Sequence, residues 1–205
     1  MTFATNVFVN CPFDSEYLPL LRPLLFTIIY LGLKPRIALE ASDAGQARLD
    51  KIVHLVRESK FGIHDISRLR ARTRGEFYRL NMPFELGLDF GARIFGGNEM
   101  EGKRSLILET EAHRFRAALS DLSGSDISHH RDEPYRVIVV VREWLHNVSH
   151  VQAPGASRIE GAFSDFMASD FDRLTEQGFS PQEIESLAVP ELIENMEVWV
   201  ASQRR

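Results

Sequence analysis

Lys60-Phe61-Gly62-Ile63-His64-Asp65-Ile66 is a short, mostly apolar run interrupted by one imidazole and carrying a carboxylate near its end. A run of this length without polar alternation reads as a strand buried on both faces, which gives it a central place in a sheet and puts Asp65 at its carboxyl end. On the amino-terminal side the chain alternates strand and helix. Val7-Phe8-Val9-Asn10, closed by Cys11-Pro12, reads as a first strand, and residues 17–33 are apolar enough to bury most of a helix capped by Asp14 or Ser15 and ended at Gly32. Residues 35–40 give a second strand through Arg36-Ile37-Ala38-Leu39, and residues 46–59 place Leu49, Ile52, Val53 and Val56 at helical spacing.

On the carboxyl-terminal side an arginine-rich loop leads into a helix opened by Pro83. Its apolar stripe is Phe84, Leu88, Ala92 and Phe95, and Gly87 and Gly91 suit a close approach to the sheet. Pro83 fits a first helical turn and pushes Met82 toward an extended conformation, which places Glu85 two residues into the helix. There the positive end of the helix dipole favours an ionised carboxylate, suited to a nucleophile or a stabiliser of positive charge; a first-turn Glu is equally suited to capping. Arg104-Ser105-Leu106-Ile107-Leu108-Glu109 is a fourth strand, residues 112–119 a short helix, Asp126-Ile127-Ser128-His129 a fifth strand, and residues 133–149 a helix that starts at Pro134.

Strands alternating with helices imply a parallel sheet, and right-handed crossovers leave few topologies. The expectation is an α/β domain over residues 1–150, three-layered and flavodoxin-like, with a mainly parallel five-stranded sheet in the order 2-1-3-4-5. In that order a ligand crevice opens between strands one and three, outside their carboxyl ends. The segments delivered there are Asn10, Cys11, Pro12, Phe13 and Asp14 after the first strand, Asp65 and Ser67 after the third, and Glu85 on the next helix, with Asn81 just ahead of that helix also taken as a substrate-binding residue. Of the arginines at 68, 70, 72, 74 and 79, Arg74 is read as a phosphate contact, with Tyr78 as a stacking face for a base.

The composition narrows the function classes. With 44% apolar residues in 205, the chain can bury a core without staples, and one cysteine excludes an intrachain disulfide framework and a Cys-rich zinc site. His146 and His150 stand one helical turn apart without a third ligand signature, so no metal is expected. There is no Gly-x-Ser-x-Gly elbow and no glycine-rich phosphate loop after the first strand. The net charge is −5, and residues 160–203 hold ten acidic side chains against the single basic Arg173, so broad nucleic-acid binding is not indicated. No charged-then-apolar leader precedes the first strand and the apolar run at 18–33 is broken by Pro19, Arg22 and Pro23, so a cytoplasmic protein without membrane association is expected.

Asn10-Cys11-Pro12-Phe13, His64-Asp65-Ile66-Ser67, Pro83-Phe84-Glu85-Leu86-Gly87 with Ala92, and Ser105-Leu106-Ile107-Leu108 together resemble the nucleoside 2-deoxyribosyltransferase-like group, related in fold to TIR domains. The resemblance covers residues 6–150. It implies that Glu85 is the catalytic carboxylate and Asp65 its support, acting on the N-glycosidic bond of a nucleotide, with NAD the leading substrate and no cofactor, within prokaryotic antiviral defence as for several relatives. A nucleotide-signal or protein-binding module without turnover, and a deoxyribosyltransferase, are the alternatives. Asn81-Met82-Pro83 departs from the small Gly-Thr or Gly-Ser pair usual before the transferase Glu, and the Trp-Cys pair frequent in TIR domains is absent.

Residues 151–205 read as a helical appendage. Ile159, Ala162, Phe163, Phe166, Met167, Phe171 and Leu174 form one stripe, and Ser180-Pro181-Gln182-Glu183 is a capping box ahead of a further helix. The expectation is a homodimer whose interface uses residues 155–203, the alternative being that part of the stripe covers the end of the sheet.

Overall fold

The computed structural model describes residues 3–40, 45, 47–68 and 80–204. Five strands, β1 (Asn6–Asn10), β2 (Lys34–Arg36), β3 (Phe61–Asp65), β4 (Arg104–Glu109) and β5 (Ile127–His129), pair in parallel throughout, in the order β2-β1-β3-β4-β5. The helices among the described residues are α1 (Leu18–Tyr30), α2 (Arg48–Arg57), α3 (Asn81–Phe95), α4 (Pro134–Ser149), α5 (Ala156–Glu176), α6 (Pro181–Glu185) and α7 (Val189–Gln203). The order is the one expected from the alternation of elements.

Alternation along each strand builds three layers. Val7, Val9, Phe61, Ile63, Leu106 and Leu108 face α1 and α4, whereas Phe8 packs on α2 and Ile107 on α3. Helix α1 is apolar nearly all round, from Leu20 to Ile29, because it is covered on every side. Pro19 sits in its first turn, where a missing N–H leaves nothing unpaired. The cap differs in detail from expectation: Tyr17 precedes the helix, and Asp14 Oδ1 accepts the Tyr17 N–H at 3.1 Å.

The second strand stops at Arg36 and does not run to residue 40. Glu40 reaches back to accept the Ile37 N–H at 2.7 Å and binds the Arg36 guanidinium, closing a turn. In place of a helix over 112–119 there are two 3₁₀ turns, Arg114–Ala117 and Ser120–Leu122, entered through His113 at φ 66°.

Helix α3 departs most from the periodicity reading. Its first hydrogen bond is from Phe84 N–H to Leu80 O at 3.2 Å, so Pro83 is its third residue and Glu85 its fifth. Met82 is therefore helical. Pro83 is tolerated because the first four N–H groups of any helix lack internal partners. The buried face is Met82, Glu85, Leu86 and Asp89; Phe84 is 57% exposed and Phe95 85%. The close approach expected of Gly87 and Gly91 falls elsewhere. A Cβ at Gly87 would meet nothing within 4 Å, whereas one at Gly62 on β3 would lie 2.6 Å from Asp89 Oδ2 and 2.8 Å from His64 Nε2.

The carboxyl-terminal helices pack into the same core as the sheet. Phe26 of α1 meets Phe163, Phe166 and Trp199 with ring centroids 5.4, 5.6 and 5.8 Å away, and Leu192, Met196 and Val200 close over it. Three of the four aromatic and Met positions proposed for self-association, Phe163, Phe166 and Met167, are thus packed against the chain's own α1 layer, and Phe171 stays 42% exposed. The capping box forms as expected: Ser180 Oγ accepts Glu183 N–H and Glu183 Oε2 accepts Ser180 N–H. No helix among the described residues is long and apolar enough to cross a membrane.

Candidate functional site

At the carboxyl edge of the sheet a cavity of about 440 Å³ opens between the segment after β1 and the amino ends of α2 and α3. Its walls are Cys11, Pro12, Phe13, Asp14, Leu39, Arg48, Asn81 and Met82. Five of the sequence-selected residues, Cys11 to Asp14 and Asn81, therefore meet around one space. Glu85 does not itself line the cavity: it is 6% exposed, with Oε1 3.8 Å from Nη2 of Arg48, which does. Arg74 and Tyr78 lie outside the described residues.

Burial pushes the Glu85 carboxyl above the usual glutamate range, and the positive charge of Arg48 pulls it partly back. This reverses the expectation of a carboxylate strongly stabilised by the helix end, because Glu85 sits a turn inside the helix and is largely removed from water. A desolvated carboxylate is poorly stabilised in its free form and gains most when a cation develops beside it.

Asp65 is fully buried and already engaged. Tyr17 donates its hydroxyl to Oδ2 at 2.5 Å, the Ser67 N–H donates to Oδ1 at 2.8 Å, and His130 Nε2 lies 3.1 Å from Oδ2. Burial alone would raise this carboxyl; the imidazole of His130, the Ser67 N–H and the Tyr17 hydroxyl override it and hold it below the ordinary aspartate value. His130 is raised in turn: burial opposes its charge, but Asp65, with Asp132 and Glu109 behind it, outweighs burial. The Asp132 N–H donates to His130 Nδ1 at 3.0 Å, so in the neutral ring the proton is on Nε2, toward Asp65. This arrangement ties β3 to α1 and to the segment after β5. Ser67 joins the same scaffold, its carbonyl accepting Arg114 Nη2 at 2.5 Å.

Asn10 also points inward. It is 1% exposed, and its Nδ2 donates to Met82 O at 2.9 Å and lies 3.1 Å from His64 Nδ1. Cys11 reaches the cavity as a thiol: burial, then the negative charges of Asp65, Glu85 and Asp14, push its pKa well up, which disfavours a thiolate nucleophile.

Sequence reasoning passed over Arg48, His64, Asp89, Tyr17 and His130. A signal existed for Arg48, since in a parallel sheet the connection after β2 ends at the same edge as those after β1 and β3. For the others there was none, because each is defined by a partner remote in the chain, such as Asp65 and His130. A larger, mainly apolar cleft of about 520 Å³ between α1, α5 and α6 is lined by Leu18, Pro19, Phe163 and Met167; its one acidic residue, Glu185, is exposed, so it offers no counterpart to Glu85. The chain matches no protein-family model, no curated protein and no solved structure.

Proposed function

We propose that this protein cleaves the base–ribose bond of a nucleotide, with NAD the leading candidate, using Glu85 as the group that meets the developing positive charge at the sugar. The observation that carries the reading is a buried carboxylate, lifted by desolvation, 3.8 Å from Arg48, which lines a cavity of about 440 Å³.

Breaking the bond from C1′ to nitrogen sends its electron pair to the base and leaves oxocarbenium character on the ribose. A fixed carboxylate beneath C1′ stabilises that charge or captures it covalently, after which water attacks C1′ and gives up a proton. Nicotinamide departs neutral because its ring nitrogen is cationic in NAD, so no strong general acid is required. Arg48 favours the ionised form of Glu85 against burial and, as a cation in the cavity wall, is the group that would meet a substrate phosphate. Asp65, wholly engaged by Tyr17, Ser67 and His130, acts as support for the crevice and not as a contact to substrate.

The test is incubation of the purified chain with NAD, nucleotides and nucleosides, followed by chromatography for free base. Release by wild-type protein and its loss in Glu85→Gln supports the reading. Transfer of the sugar to an added base identifies a transferase instead, and saturable nucleotide binding without release identifies a binding module.

A further inference from the structure

Helix α3, which carries Glu85, begins without a side-chain cap at Leu80, and Pro83 has no N–H to contribute to its first turn. Besides the apolar packing of Met82 and Leu86 on Ile66 and Ile107, two polar attachments that bracket Glu85 tie the helix to the sheet. The first is Asn10 Nδ2 to Met82 O at 2.9 Å. The second is at Asp89, whose Oδ2 lies 3.1 Å from His64 Nε2 and accepts Ser105 Oγ at 2.6 Å, and whose Oδ1 is 2.9 Å from Lys103 Nζ. All four side chains nearest the helix, Asn10, His64, Asp89 and Lys103, are at most 1% exposed.

One bond fixes the protonation pattern of the rest. Because Asn10 faces a carbonyl at Met82, the atom there is the amide nitrogen; the opposite orientation would set two oxygens against each other. The same nitrogen is 3.1 Å from His64 Nδ1, so Nδ1 accepts and the ring proton resides on Nε2, directed at Asp89. Burial would raise Asp89, but His64 and Lys103 hold it far below the usual carboxylate range, so it accepts from both as an anion. Phe8 presses edge-on against the imidazole with centroids 5.7 Å apart, and Gly62 leaves no room for a Cβ on the other side.

A buried ionic chain is seldom the most stabilising way to fill such a space, since apolar side chains of similar volume often do as well or better. Its benefit here is directional. We propose that Asn10, His64 and Asp89 are positioning residues for Glu85, a neutral Nε2–H imidazole bridging the end of β1 to two turns of α3 so that the carboxylate is held beside Arg48 of the cavity wall. The catalytic part of this inference rests on the glycosidase reading; the network itself does not.

Three measurements on the full chain test it. Two-bond proton–nitrogen NMR of wild-type protein, with the His64 signal assigned by its loss in His64→Gln, should show the Nε2–H tautomer. Hydrogen exchange should quicken about tenfold at the Glu85 and Leu86 amides in Asn10→Ala while the β1 and β3 amides keep wild-type protection. In base release, Asn10→Ala should lower kcat about tenfold or more with KM little changed, and His64→Gln, which keeps a donor toward Asp89, should retain more kcat than His64→Leu. An Nδ1–H tautomer overturns the inference, as do wild-type exchange and kcat in Asn10→Ala. The tautomer is read on the wild-type chain, so it decides even where a variant does not fold. If tautomer and exchange behave as stated but no nucleotide loses its base, the network stands and the glycosidase reading is the one that falls.

Discussion

Two buried carboxylates of this protein differ in how their charge is met. Asp65 has its charge met by Tyr17, Ser67 and His130, whereas Glu85 has only a loose pairing with Arg48 among the described residues. Glu85→Gln should therefore abolish base release and leave the melting temperature unchanged or slightly higher at neutral pH. The sign follows from linkage: a folded-state pKa above the unfolded value, about 4.3 for Glu, contributes stability that is present at low pH and lost as pH rises through the folded value. The amide's advantage should vanish below the unfolded value, and thermal scans across pH check it. On the proposed glycosidase reading, the same shift should set the acid limb of base release. Base release should decline as pH falls through a value above the ordinary glutamate range, and Arg48→Gln should move that limb to higher pH. A pH–rate profile whose limb is unmoved by Arg48→Gln would remove Arg48 from the site. Asp65→Asn is expected to act on the fold instead. It removes the partner of a buried imidazole, for which the typical loss is about 3 kcal/mol or more, readable by denaturant titration. The depressed Asp65 contributes stability above its unfolded value, about 3.9, and that contribution is lost as pH falls through the folded one.

At the scale of elements, α3 carries its carboxylates inward and several of its large apolar side chains outward. Periodicity assigned Phe84 and Phe95 to the core and gave no place there to Asp89, because a helix stripe is judged by side-chain polarity alone. The sheet reverses that judgement by supplying His64 and Lys103 to Asp89, and Gly62 to admit it. Gly62→Ala should accordingly be among the more damaging small substitutions in the chain, costing about 2 kcal/mol or more through overpacking against Asp89 and His64. Phe95→Ser on the same helix, at a side chain 85% exposed, should stay within about 0.5 kcal/mol. Chemical denaturation of the two variants side by side decides between the observed face and the one periodicity suggested.

For the whole molecule, the carboxyl-terminal helices complete the core. Phe26 is enclosed by Phe163, Phe166 and Trp199, and the ends of α1 are tied to the tail by Arg22 Nη2 donating to Glu185 O and Arg204 Nη2 to Tyr30 O, both at 2.7 Å. A chain ending at residue 150 would expose that face of α1 to water. It should aggregate or lose its cooperative melting transition, which circular dichroism and light scattering would show; a truncated chain with the full melting temperature would make the tail a separable appendage after all.

The sequence by itself determined the parallel sheet and its order, because strand length, alternation with helices and the handedness of crossovers are local or combinatorial constraints. It also determined the capping box at Ser180 and Glu183, and it brought Cys11 to Asp14, Asn81 and Glu85 to one edge of the sheet. Only the tertiary structure decided which polar residues turn inward. Asn10 and Asp65, selected as site residues, are buried and hydrogen-bonded within the protein, and Arg48 takes a place in the cavity wall. The physical reason is that charge on a side chain predicts exposure only until its partner is known. The partners here, Asp65 with His130, His64 with Asp89 and Lys103 with the Val56 carbonyl, are brought together by packing across the sheet and not by any spacing along the chain.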